Sequence, residues 1–195
     1  MNIFDIFAQQ LDNNTLQGMA NKLGVNNEQL AGALGSAVPI LMNALQNNAS
    51  TAEGAGSLLN ALQKDHDGSI FSQLGNVLSN PSAFKADGIL GHILGSNQKK
   101  VEEYIGQTNG LSAGISGQLL QMLAPMLMGL LGQQQKQSNL DAGGLFDMLT
   151  KNNQNIQQKA PVQMSFIEKL LDRNNDGSIM DDVLNIGMSI FKSRR

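Results

Sequence analysis

Leu30, Leu34, Val38, Leu41 and Leu45 follow one another at steps of four, four, three and four, which puts them on a single stripe of an α-helix. Pro39 falls inside that stripe. Proline has no amide to donate and its ring crowds the preceding turn, so the helix must bend there or split in two. The same pattern returns after a shift of 86 residues, which lays Gly24 on Gly110, Leu34 on Leu120, Pro39 on Pro125, Leu41 on Leu127, Met42 on Met128 and Leu45 on Leu131. A fixed offset of this kind points to an internal duplication, with Ala20 to Leu45 and Gly106 to Leu131 as its equivalent stretches. Gly32, Gly35 and Ser36 are small enough to give a neighbouring helix room at the first bend.

The flanking pattern is also helical. Ile3, Phe4, Ile6, Phe7 and Leu11 predict a short amphipathic helix that packs on the repeat, and Leu16 to Leu23 predicts another that stops at Gly24. Glu28 then suits the first turn of the stripe helix. Ser50-Thr-Ala-Glu53 reads as a capping box opening a helix with Leu58, Leu59 and Leu62. Ser138-Asn-Leu-Asp141, followed by Leu145, Phe146 and Leu149, answers it in the second copy. Short helix-like connectors lie between the copies, at 69–78, 84–94 and 101–105. The expected organisation is a first helical repeat with connectors over 1–96, a second repeat packed on it over 97–151, a polar Asn/Gln linker over 152–163 and a C-terminal helical hairpin over 164–195. The fold class is all-α: a duplicated helical unit with proline-bent core helices plus that hairpin.

Leu119 to Leu131 is apolar nearly all round, interrupted by Gln121, Pro125 and Gly129. Its length, proline and glycine favour a buried core helix over a membrane span, with membrane contact the lesser alternative. Met122, Met126 and Met128 fit core filling better than an adaptable partner surface. The excess of apolar surface also predicts self-association through this stretch, so a homo-oligomer and an unidentified protein partner are the expected company.

Composition narrows the function. Net charge is −3 over 195 residues, which offers no global positive field for nucleic acid. Met19 to Leu30 has the outline of a helix-turn-helix, but no Lys or Arg occurs from Glu28 to Leu45 to meet phosphates. Zero cysteines exclude disulfides, thiolate metal sites and cysteine nucleophiles. The first residues lack a basic and long apolar leader, so the cytoplasm is the expected location. No nucleophile or phosphate-loop pattern is present, and His66 and His92, the two histidines, stand outside any such pattern. The expectation is a non-enzymatic chain with no cofactor beyond a candidate calcium ion, in which His92 is a partly buried packing residue.

That ion would sit in the C-terminal hairpin. Asp172, Asn174 and Asp176 occupy positions one, three and five of an EF-hand-like loop, followed by Gly177, Ser178 and the apolar Ile179. Position twelve is Val183 in place of the bidentate Glu, and Asp182 or Asp181 from the next helix would have to complete the shell. Two readings fit: a weak hard-cation site on Asp172, Asn174, Asp176, Ser178 and Asp182, or a capped turn in which Ser178 and Asp181 start the last helix. Asp65-His66-Asp67-Gly68-Ser69-Ile70 echoes the loop with Gln63 at position one, and there a turn with Ser69 as helix cap is the better reading.

The paired proline-centred Leu/Met helices and Asp-Gly-Ser-Ile turns resemble a bacterial family known only as domain of unknown function nine-three-seven, with YidB-like proteins as relatives. The resemblance spans nearly the whole chain and implies a bacterial, all-helical protein. It implies no catalytic residue, cofactor or partner. Gln63 and Asn174 are departures that make the two turns less calcium-like.

Overall fold

In the computed structural model, which describes residues 3–159, every regular element is helical. The order is α1 (Ile3–Gln10), α2 (Asn13–Leu23), α3 (Asn27–Asn48), α4 (Ala52–Asp65), α5 (Leu74–Ser79), α6 (Ala86–Leu94), α7 (Gln98–Asn109), α8 (Ala113–Ser138) and α9 (Ala142–Lys159). Short 3-10 segments at Ser69–Gln73, Pro81–Phe84 and Gly95–Asn97 join some of them.

Local chemistry sets the helix ends. Asp12 opens α2 by accepting the Thr15 amide at 2.7 Å, and Asn26 and Gln29 form a reciprocal capping box at the start of α3. Ser112 accepts the Ile115 amide to open α8. Gly24 and Gly110 end α2 and α7 in the left-handed conformation, at φ +67° and +65°, which glycine adopts without a Cβ clash. Two expected caps are displaced. Thr51, not Ser50, accepts the Gly54 amide and starts α4. Ser138 is the last residue of α8, and Asp141 starts α9 by accepting the Gly144 amide at 2.8 Å. Helices α3 and α8 thus begin 86 residues apart, whereas α4 and α9 begin 90 apart, because α8 runs one turn longer.

Neither proline breaks its helix; α3 and α8 each run continuously through Pro39 and Pro125. Around both prolines the helix is buried on every side: Ser36 to Asn43 in α3, and Met122 to Gly132 in α8. The stripe read along α3 is therefore only part of what this helix buries, since the small Ser36 and Ala37 are covered as well while Gly32 stays exposed. Leu119 to Leu131, with Gln121 half-buried, is spent in the core, so the surface expected to self-associate is not available on the outside. Helix α8 is the one helix among the described residues long and apolar enough to cross a membrane, and 72% of its most apolar stretch faces protein. Met122, Met126 and Met128 are core fillers.

Covering these two helices uses most of the other described helices. Helix α7, only partly anticipated as a connector, packs along α8 and α3, while α2, α4 and α6 take further sides of α8. Helix α9 lies chiefly on α3 and α4, so the third helix of the second stretch packs on the first. One apolar cluster consequently runs through 1–96 and 97–151, from Ile3 to Leu149.

The polar stretch expected to be a linker from 152 is helical as far as Lys159. Its amides are docking groups. Asn152 is buried and its Oδ1 accepts the Ile3 amide at 2.9 Å, fixing the start of α1. Asn153 donates to the Met42 carbonyl and to Gln46 Oε1, and Gln46 donates to Thr150 Oγ1, which ties α9 to α3. The hairpin expected over 164–195 lies outside the described residues.

Close approach depends on two glycines of α8. A Cβ at Gly132 would run into the His66 carbonyl, and one at Gly129 into Ile70. Gly132→Ala is therefore expected to cost about 1–3 kcal/mol. Gly56→Ala, on a part of α4 with open space around it, should stabilise by roughly 0.5–1 kcal/mol. Chemical denaturation of both variants checks this; equal effects would show that α4 and its following turn do not sit on the α8 backbone.

Candidate functional site

The turn after α4 brings the chain's chemistry to one place. Gly68 adopts φ +91°, and Asp67 Oδ1 accepts the Ser69 amide at 3.0 Å. Asp67, rather than Ser69, therefore closes the turn. These bonds to the carboxylate hold Asp67 below the usual carboxylate range. No three His, Cys, Asp or Glu residues cluster among the described residues in a way that could hold a metal ion. The loop carrying Asp172, Asn174, Asp176, Ser178 and Asp182 lies outside the described residues.

Beside this turn, α4 and α6 stand apart far enough to leave a groove of about 470 Å³. Leu58 and Ala61 of α4 form one wall, Ile89 and Ile93 of α6 the other, and Leu45 of α3 and Met128 of α8 the floor. The packing explains the opening: α6 is drawn onto α8 by buried Ile89, Leu90, Ile93 and Leu94, and Gln121 of α8 donates to Asp87 at 2.7 Å.

The two ends of the groove are polar. At one, Asn48 Nδ2 donates to the His92 and Ile93 carbonyls at 2.8 and 3.1 Å, satisfying acceptors that the end of α6 leaves open. At the other, Lys85 and Asp65 approach to 3.3 Å with His66 beside them. That ion pair is largely exposed, and such pairs contribute roughly 0–1 kcal/mol, so it does little to fix this end. Lys85 itself is in the left-handed region at φ +58°, one of two non-glycine residues so placed among the described residues.

Both histidines line this groove although they are 26 positions apart in the chain. His92, expected to be partly buried, is exposed in the last turn of α6. His66 is half-buried, and burial lowers its pKa below the ordinary histidine range; nearby Asp65 opposes the shift and Lys85 adds to it. Sequence reasoning missed the groove because its walls, Leu58, Ala61, Ile89 and Ile93, read as ordinary core positions of separate helices.

The arrangement is an apolar trough with polar ends on an all-α scaffold. The chain belongs to the family described as bacterial protein of unknown function (DUF937), whose model matches residues 5–134. Every groove residue, from Leu45 to Met128, lies within that match. No curated protein and no solved structure matches the chain.

The lowered pKa of His66 has a definite sign. The unfolded chain takes the proton first, so stability is full above about pH 6.5 and falls as pH drops from there to the lower folded value. Asp67, whose pKa is also lowered, contributes stability that is full above the usual carboxylate value and is lost as pH falls from there through its lower folded value. Melting temperatures taken between about pH 7 and 5 should decline in the wild type and flatten in His66→Gln. Parallel slopes in the two proteins would place the half-buried imidazole outside this balance.

Proposed function

We propose that the protein is a non-enzymatic helical interaction module that receives an apolar peptide segment in the groove between α4 and α6. The observation that carries this reading is the open apolar trough, floored by Leu45 and Met128, while most other apolar positions of the described helices are gathered in one core cluster. A helix laid in such a groove offers anchors at helical spacing to the two walls, and the polar ends fix its direction. Met128 on the floor suits varied side chains, since its thioether chain is unbranched and polarisable. The two proline-centred stretches are taken as a duplication on the strength of their common 86-residue offset. In this reading the groove lies beside the second proline helix.

Peptides selected from a random library against the full chain, tested by fluorescence anisotropy, decide the matter. Gly88 lines the groove with open space around it, and Gly88→Trp should weaken a selected apolar peptide about tenfold or more. Gly75→Trp, on α5 and also in open space, should leave it unchanged. A library that yields no peptide sensitive to Gly88→Trp would remove the groove as a docking surface.

A second reading, calcium binding by the Asp172 loop, is supported by the surviving ligand types at positions one, three and five and the glycine at six. Calorimetric titration of the full chain should then show saturable heat that Asp176→Ala abolishes, in a weak affinity range because Val183 replaces the bidentate ligand. Absence of heat at millimolar calcium would leave the loop as a capped turn.

A further inference from the structure

A buried donor left unsatisfied lies away from the groove. Asn152 of α9 is 4% exposed, and its Nδ2 has no hydrogen-bond partner among the described residues. The orientation of this side chain is fixed. Its Oδ1 accepts the Ile3 amide at 2.9 Å, and turning Nδ2 there instead would set donor against donor. A buried donor without an acceptor is penalised by its lost hydration, so a ligand that supplies the acceptor gains affinity from meeting it.

Asn152 and Ile3 line a separate cavity of about 470 Å³, where the start of α1 and the end of α8 meet α9. That volume falls within the range of roughly 300–1,000 Å³ typical of small-molecule sites. Two opposite charges share the lining. Asp147 and Lys151 stand one turn apart on α9, in the order and at the spacing where a carboxylate and an ammonium group ordinarily pair with each other. Here they do not pair. Neither side chain has a hydrogen-bond or ion-pair partner among the described residues, where the ion pair formed is Lys85–Asp65. Leu140, Met148 and Ile3 supply the apolar part of the lining.

We propose that this cavity is a binding site for a free amino acid in its zwitterionic form. The carboxylate is taken by Lys151 and by Nδ2 of Asn152, the ammonium group by Asp147, and the side chain by the apolar lining at Leu140 and Met148. Charge selects this class of ligand. A carboxylate is favoured over a neutral acceptor because charge-assisted hydrogen bonds are the stronger ones, and the cation of Lys151 is the next residue in the chain to the unmet donor. A simple anion would bring its charge against Asp147, whereas a zwitterion answers both charges at once. Water on Nδ2 would satisfy the donor alone and leave Asp147 and Lys151 unpaired. The site shares no residue with the groove between α4 and α6 and does not depend on that groove being a docking surface.

The test uses the full-length chain with its asparagine side-chain amides isotope-labelled. Each common amino acid is added singly to millimolar concentration while the amide resonances are recorded. At least one should bind saturably and move the Asn152 Nδ2 resonances. The N-acetyl and C-terminal amide derivatives of that amino acid, each lacking one charge, should bind about tenfold or more weakly. Asp147→Asn should weaken the amino acid about tenfold and leave its N-acetyl derivative unchanged, and Lys151→Gln should act likewise against the amide derivative. Both residues are exposed, so neither exchange disturbs the core. Asn152→Asp keeps an oxygen for the Ile3 amide but removes the donor, and should abolish binding; if that variant fails to fold, the two exposed variants decide. The absence of a saturable shift with every amino acid would overturn the site and leave the donor to water. Binding that both derivatives share equally, and that Asp147→Asn and Lys151→Gln leave unchanged, would overturn it too, as apolar adsorption.

Discussion

Two helices that are buried on all sides where they carry a proline impose the rest of this structure. A helix with one apolar stripe needs one partner, but Ser36 to Asn43 and Met122 to Gly132 need cover all round. Proline sharpens the demand. Each ring removes an amide from the helix ladder, so the carbonyls of Gly35 and Gln121 lose their usual donors. Enclosing two such helices in a chain of this length occupies nearly every other element. Helix α7 wedges along both, and α9 crosses to α3 and α4, away from the helix that precedes it.

The close contacts that permit this enclosure are made by backbone rather than by large side chains. Gly129 and Gly132 let the turn after α4 sit directly on α8, with the His66 carbonyl where a Cβ of residue 132 would be. Gly54 similarly admits the Asn48 carbonyl at the junction of α3 and α4. Once these backbones touch, α4 is fixed over α8 while α6 is drawn onto another side of it. The trough between them is what remains. It is thus a by-product of how two helices share a third, and its polar ends come from groups that terminate helices: Asn48, Lys85 and the Asp65–Ser69 turn.

Polar residues in the described body mostly serve geometry. The Asn and Gln side chains of α9 are read in composition as solvent-facing, yet Asn152 and Asn153 are 4% and 3% exposed and hold α1 and α3. A buried amide is tolerated when its donors and acceptors find partners. Asn152 meets this in part, since its Oδ1 is bonded while its Nδ2 is buried without one. The carboxylates of Asp12, Asp67 and Asp141 likewise close helix starts and turns.

The all-helical class, the paired proline helices, the glycine stops at Gly24 and Gly110 and the burial of Leu119 to Leu131 follow from the sequence, because spacing along a helix and backbone freedom at glycine are local properties. The capping boxes were misplaced by a residue or more, since Ser50 and Ser138 carry the right oxygen but the helix before each runs further than its apolar pattern. The linker expected from 152 was misread for a related reason: polar composition does not say whether an amide meets water or a carbonyl. What the sequence determined by itself is which helices form and which of their faces are apolar. The tertiary structure alone decided that α9 packs on the first half, that His66 and His92 share one groove and that Leu58 faces Ile89 across open space, because these depend on which helices meet in three dimensions, and spacing along one helix carries no record of its neighbour.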